Sequence, residues 1–325
     1  MQKLKKNKPI LIVAGEPNSV FLEIFFKSIK KNTFKSPLII IVSKKLLKEQ
    51  MKKLGFIFKI NTIDKNFDKL DKLDNKKINL IDVSYKFNRC FDKISDKSNN
   101  YIKKTFSVAL DILNKNKFSK FINGPISKKH FLKGKNLGIT EYLAQKTKQE
   151  NKVAMLIFNK KLSVSPITTH LALKDVHKHI SKQKIYTHIK LISDFYKKNF
   201  NRKPTIAITG LNPHCESNFK DCEEDAIIIP AIKKLKAKNF KVEGPFPADT
   251  IFMKGHLNKF DIIIGMYHDQ VLTPMKTLFG FDAINITLGL PFIRVSPDHG
   301  PNSSMLGKNL SDPTSLIQAL KFLDK

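Results

Sequence analysis

The chain has 325 residues, 41% of them apolar, and a formal net charge of +31. Its length exceeds a usual single domain of roughly 100–200 residues, which points to two lobes, and no run of about 18 apolar residues is present to span a membrane. The charge does not make a nucleic-acid reader: of 59 basic residues only Arg89, Arg202 and Arg294 are arginine, whereas such proteins favour the guanidinium fork.

The N-terminus is basic and then apolar, but the apolar part is only ILIVA. That is shorter than the roughly 7–15 residues of a signal-peptide core, so it predicts a first buried strand, PILIVAG at 9–15. Further strands are predicted at 37–43, 79–84, 120–125, 153–159, 204–210, 261–267, 282–289 and 292–296. Helical patterns lie at 19–31, 97–116, 174–200, 223–239 and 314–323, and the Lys/Asn/Asp-rich stretch 64–78 reads as an exposed loop or ragged helix. This alternation predicts an α/β protein with a substantially parallel sheet. No Pro/Gly/Ser-rich linker divides it. Cys90, Cys215 and Cys222 form neither an even framework nor a CxxC pair, so reduced thiols and a cytoplasmic location are expected.

Ligand sites in such sheets form at the carboxyl ends of strands. Three histidines stand just beyond apolar runs: His170 after SPITT, His214 after IAITGLNP and His268 after DIIIGMY. They are candidate ligands for a divalent metal with an open position, or else hydrogen-bonded structural histidines. Asp269, beside His268, is placed to orient a ligand. Asp249, in GPFPADT, reads as a helix N-cap or as an acid/base group. Lys276, Asn285 and Arg294 recur at nine-residue intervals, and two cations with an amide suit a phosphate or carboxylate. GEPNSV follows a strand, but neither a GxGxxG nor a Walker pattern is present.

Taken in order, TTHLALKDV, GLNPHCE, GPFPADTIF, YHDQVLTPMK and NITLGLPFIRVSPDHG closely resemble the PdxA family of 4-hydroxythreonine-4-phosphate dehydrogenases. GPISK, GITEYLA and DPTSLIQAL extend the match more loosely. The resemblance implies a two-lobed, isocitrate/isopropylmalate-dehydrogenase-like α/β/α fold with its active site in the cleft. Residues 1–125 plus 275–325 would form one lobe. Residues 126–274 would form the other, carrying the metal-ligand histidines and the dimer contacts.

The resemblance implies NAD- or NADP-linked oxidation of 4-phosphooxy-L-threonine at C3, then loss of CO2 to give 3-amino-2-oxopropyl phosphate, a step towards pyridoxal phosphate. It implies a divalent metal (zinc, with magnesium or cobalt as alternatives) on His170, His214 and His268. Substrate contacts would come from Thr140, Lys276, Asn285 and Arg294, in a homodimer whose active site uses both subunits. Proton handling is left between Asp249 and Asp269, and the cofactor loop would include Asp298, His299 and Gly300. No nucleic-acid or membrane partner is implied.

Three segments depart from the family pattern. GITE stands for GHTE, so Ile139 replaces a substrate-contacting histidine. GEPNSVFLE stands for GDPxGIGPE and lacks the inner glycines. DHGPNSSMLG stands for DHGTAxDIAG, with Pro301 replacing a threonine. The first departure raises a dehydrogenase of another phosphorylated hydroxy acid, of the phosphothreonate or phosphoerythronate type. The third raises a metal- and phosphate-binding relative without hydride transfer.

Overall fold

The structure is a computed structural model that describes residues 7–65, 72–115, 118–134, 136, 138–150, 152–216, 222–280, 282–297 and 300–324. Its first elements are β1 (Ile10–Val13), α1 (Phe21–Lys31), β2 (Leu38–Val42), α2 (Lys44–Lys53), β3 (Ile60–Thr62), β4 (Ile78–Asp82), α3 (Asn99–Asn114), β5 (Lys120–Asn123) and α4 (Ile139–Lys146). There follow β6 (Ala154–Phe158), β7 (Ser163–Pro166), α5 (Lys182–Phe200), β8 (Ile206–Thr209), α6 (Ile229–Ala237), β9 (Val242–Phe246), α7 (Lys254–Leu257) and β10 (Ile262–Gly265). The last are α8 (His268–Phe279), β11 (Ile284–Leu288), β12 (Ile293–Pro297) and α9 (Thr314–Leu323).

Two compact units result, Met1–Ile139 with Pro291–Lys325 and Thr140–Leu290. The expected boundaries were 125/126 and 274/275. The stretch 275–290 falls in the second unit, where β11 pairs antiparallel with β6.

In the first unit the strands run in the order β3-β4-β2-β1-β5-β12, every pair parallel. All four β1 residues are 0% exposed, as a parallel strand covered on both faces requires. In the second unit the order is β11-β6-β7-β10-β8-β9. There β7, β10, β8 and β9 are mutually parallel neighbours, and β6 runs antiparallel to both its partners.

The nine strands read from apolar runs are present, while β3, β7 and β9 were not legible. β7, SVSP, carries two buried serines in place of an apolar alternation. Its polar cost is met locally: Ser163 Oγ lies 3.2 Å from the Tyr196 hydroxyl, and Ser165 Oγ lies 2.5 Å from His188 Nε2. β9, VEGPF, contains Pro245, which an edge strand tolerates because its missing N–H faces away from the ladder.

Two helices differ from expectation. α5 begins at Lys182 rather than 174, because the Ser181 side chain accepts from Lys184 N at 3.2 Å and caps it; single 3-10 turns precede it. The run 261–267 was expected as strand throughout, but β10 stops at Gly265 and α8 starts at His268, despite Pro274 inside it. An interior proline costs about 3 kcal/mol. Val271, Leu272 and Met275 are 0%, 6% and 1% exposed in the core shared with β6, β7, β8 and β10. At about 1.5–3 kcal/mol each, their burial outweighs the proline.

Among the described residues no helix is long and apolar enough to cross a membrane. All three cysteines are free thiols.

Candidate active site

Four parallel strands of the second unit, adjacent in the order β7-β10-β8-β9, each release one predicted residue at the carboxyl end. His170 follows β7, His268 follows β10, His214 follows β8 and Asp249 follows β9. The register aligns Pro166 with Gly265 and Ile208 with Ile264, so the first three turns leave the sheet at one level.

The turns are tied together by side chains that sequence reasoning did not single out. Thr168 Oγ1 donates to the Met266 carbonyl at 2.7 Å, joining the His170 and His268 turns. Gln270 joins the His268 and His214 turns. Its Oε1 accepts from Met266 N at 2.6 Å and Thr209 Oγ1 at 2.9 Å, while its Nε2 donates to the Gly210 carbonyl at 2.8 Å. Gln270 is buried, so these bonds satisfy an amide that would otherwise be costly to desolvate. Two glycines allow the close approach. A Cβ on Gly265 would stand 2.5 Å from Val271 Cγ1, and one on Gly210 would stand 2.8 Å from Cys215 Sγ.

His170 and His268 come together, with ring centroids 5.7 Å apart. His268 is the first residue of α8, and its Nδ1 is 2.7 Å from Asp269 Oδ1. Paired so, Nδ1 holds the proton and Nε2 remains the metal-binding nitrogen. Asp269 is 80% exposed.

His214 is exposed on the turn Pro213–Cys215, and it and Cys215 both adopt positive φ, 56° and 61°. Two successive non-glycine residues in this region store backbone strain of order 1–3 kcal/mol each. Glu224, 1% exposed, over-determines the loop. Its Oε1 accepts from Leu211 N at 2.7 Å and Asn212 N at 2.9 Å, and its Oε2 accepts from Asn212 Nδ2 at 2.8 Å. Burial alone raises the Glu224 pKa, but the hydrogen bonds from Asn212 and Leu211 together outweigh it, and the carboxyl titrates below its ordinary value. Asp249 is exposed in the turn after β9. It belongs to the same neighbourhood: burial first, then the negative fields of Glu224, Asp249 and Glu216, push the Cys215 thiol up.

Among the described residues no three His, Cys, Asp or Glu side chains gather closely enough to hold a metal. One chain thus brings two of the three predicted ligands together and leaves His214 on its own strained turn. The pair fits a divalent metal: two imidazoles face each other, and one has its back nitrogen anchored by a carboxylate.

The remaining predicted residues are distributed as follows. Thr140 is buried on α4, its Oγ1 3.5 Å from Thr287 Oγ1 of β11. Asn285 shares that face of β11, two residues away, and its buried Oδ1 has no hydrogen-bond partner among the described residues. Lys276 is exposed on the last turn of α8. Arg294 belongs to the first unit, on β12, and is 1% exposed with Nε donating to Asn123 Oδ1 at 2.7 Å. Gly300 is exposed, whereas Asp298 and His299 lie outside the described residues. Two of the departing segments meet in this unit, where Val20 N donates to the Pro301 carbonyl at 3.1 Å.

The fold and the histidine-bearing strand ends define an α/β protein with a candidate site at the carboxyl ends of its parallel strands. Isocitrate dehydrogenase from Methylococcus capsulatus shares the fold alone, with a TM-score of 0.51, 10% identity and coverage of 96% of this chain and 83% of that one. The chain belongs to the PdxA family: the model described as "Pyridoxal phosphate biosynthetic protein PdxA" matches residues 33–323. It is 38% identical over 317 residues to the 4-hydroxythreonine-4-phosphate dehydrogenase of Sulfurihydrogenibium sp. (strain YO3AOP1), covering 96% of each chain. It is 33% identical, again over 96% of each, to a protein of Oceanobacillus iheyensis named "Putative D-threonate 4-phosphate dehydrogenase". The crystal structure of 4-hydroxythreonine-4-phosphate dehydrogenase from Klebsiella pneumoniae is similar with a TM-score of 0.80, 27% identity and 98% coverage of both chains.

Proposed function

We propose that the chain oxidises 4-phosphooxy-L-threonine at C3 with a nicotinamide cofactor, NAD or NADP, and that the resulting 3-oxo acid loses CO2. The observation that carries this reading is the facing of His170 and His268, with Asp269 on the back nitrogen of His268. A divalent metal (zinc, or magnesium or cobalt) held by His170, His268 and His214 would polarise the C3 hydroxyl and lower its pKa. His214 would be contributed across a homodimer, since the described residues of one chain do not gather three ligands.

The chain's own groups divide the remaining work. Asp269 is committed to His268, so it orients the imidazole and raises the basicity of Nε2. Asp249 accepts the C3 hydroxyl proton as the hydride leaves C3 for the nicotinamide. Thr140, Lys276 and Asn285 hold the substrate, turning remote binding energy into alignment at C3. Arg294, whose Nε donates to Asn123 Oδ1, would bind the substrate's anionic group on the strength of the family resemblance. Gly300, with Asp298 and His299, is retained for the cofactor.

The test is formation of NADH or NADPH from purified protein, 4-phosphooxy-L-threonine, cofactor and added metal, with EDTA and His214→Ala controls. Turnover that EDTA and the substitution abolish supports the reading; metal-independent turnover, or none from folded protein, overturns it. A second reading, oxidation of a 2-hydroxy acid such as D-threonate 4-phosphate, is favoured by Ile139 and by the Oceanobacillus relative's name. Running both substrates side by side separates the two.

A further inference from the structure

One buried amide ties the turn of the facing histidine pair to the turn of the third histidine. Gln270 is the third residue of α8, two after His268. From there its side chain reaches back to an N–H ahead of the helix, much as Gln does in a capping box: Oε1 accepts from Met266 N at 2.6 Å. The same oxygen accepts from Thr209 Oγ1 at 2.9 Å, and Nε2 donates to the Gly210 carbonyl at 2.8 Å.

Gln270 thereby grips two peptide units. The first is Gly265–Met266, which opens the His268 turn. The Met266 carbonyl in turn accepts from Thr168 Oγ1 and Thr168 N, at 2.7 and 3.1 Å, and so anchors the His170 turn. The second is Gly210–Leu211, at the root of the His214 turn. Its carbonyl is held by Gln270 and its N–H by Glu224 Oε1, at 2.7 Å. A peptide plane bonded on both edges fixes the direction in which the chain leaves the strand. Filling this space would need volume alone, whereas three directed bonds set two turns in register with each other.

His170 and His268 face each other, while among the described residues no third ligand gathers with them and His214 stands on its own turn. With His214 contributed across the dimer, His268 and His214 of one chain serve two different metals. We propose that Gln270 is a positioning residue for both sites of the dimer at once. Through Met266 it orients His268 for the metal of its own chain's pair. Through Gly210 it orients His214 for the metal of the partner subunit's pair. The inference rests on the assigned reading, in which His214 crosses the dimer.

The experiment titrates cobalt(II) into metal-free protein, followed by calorimetry and by the visible absorption of the bound ion. Gln270→Met keeps the length of the side chain and removes all three bonds. It should weaken cobalt affinity about 10- to 100-fold, the usual loss when a ligand's support is removed, and shift the absorption bands. Ile192→Val, in the buried face of α5, is a destabilised control whose affinity should stay within about twofold. Co-expressed dimers of a His214→Ala chain with a His268→Ala chain then keep one intact site. Gln270→Met in either chain of that dimer should weaken the site, acting on His268 in the first chain and on His214 in the second. Weakening from only one chain, unchanged affinity in folded Gln270→Met, or an equal loss in Ile192→Val overturns the proposal. A mixed dimer that binds cobalt no more tightly than either single-variant dimer overturns the sharing of His214, and the proposal with it. Should Gln270→Met not fold, Thr209→Val removes one of the three bonds and should give a loss of the same kind, about two- to tenfold.

Discussion

The imidazoles of His170 and His268 stand with centroids 5.7 Å apart, on turns leaving adjacent parallel strands. Both turns are fastened to the same residue, Met266: Thr168 donates to its carbonyl and Gln270 accepts from its N–H. This backing holds the pair before any ligand arrives. Added zinc or cobalt should therefore raise the melting temperature of the wild type, by mass action on the folded state. His170→Ala and His268→Ala should each abolish most of that rise while leaving the metal-free melting temperature within a few degrees. A rise that survives both substitutions would place the metal elsewhere.

Asp269 is too exposed for its pairing with His268 to matter much to folding. Its effect should fall on the imidazole. Asp269→Asn should weaken metal affinity by about 10- to 100-fold, the usual loss when a ligand's carboxylate partner is removed. The melting temperature of metal-free protein should hardly change. Metal titration followed by calorimetry, alongside thermal melts, checks both halves.

Much of this arrangement was legible in the sequence, for a physical reason. Parallel strands buried on both faces read as apolar runs, and polar residues directly after them stand at the ligand end of the sheet. His170, His214 and His268 were found that way, whereas Asp249 was read from the Pro- and Gly-rich turn GPFPADT. The strand β7 was missed because its buried serines are satisfied by His188 and Tyr196, partners far along the chain. Gln270 and Glu224 were missed for the same reason, since each satisfies backbone groups of a neighbouring turn. One cue was available for Gln270: a polar residue just before the apolar run of α8 is where a helix start staples itself to its surroundings.

Glu224 holds the strained His214 turn through three hydrogen bonds from Leu211 and Asn212. Glu224→Gln replaces one acceptor oxygen by a donor facing donors, and should cost about 1–3 kcal/mol in urea unfolding. Metal affinity and kcat/KM should fall with it, because the turn that carries His214 loosens. The native carboxyl titrates below its ordinary value. Its contribution is therefore complete above the usual carboxylate range and is lost as pH falls through the lowered folded value. The difference in stability between wild type and Glu224→Gln should shrink on that acid side alone.

His188 gives a separate acid response. The Ser165 hydroxyl donates to the Met155 carbonyl, so its oxygen is left to accept from His188 Nε2, which fixes the tautomer. Burial, with the Lys184 charge as a lesser cause, lowers the His188 pKa to about 3 from an ordinary 6.5. Between those values the unfolded chain binds a proton that the folded chain refuses. The stability contributed by the neutral ring is thus complete above the ordinary value and declines as pH falls below it, by at most about 1.4 kcal/mol per pH unit. His188→Gln keeps a donor for Ser165 and removes the titration. In urea unfolding with EDTA present, the wild type should lose stability between about pH 6.5 and 5, where most carboxylates are still ionised, and the variant should lose less. Parallel slopes for the two proteins would show that His188 does not govern the acid limb.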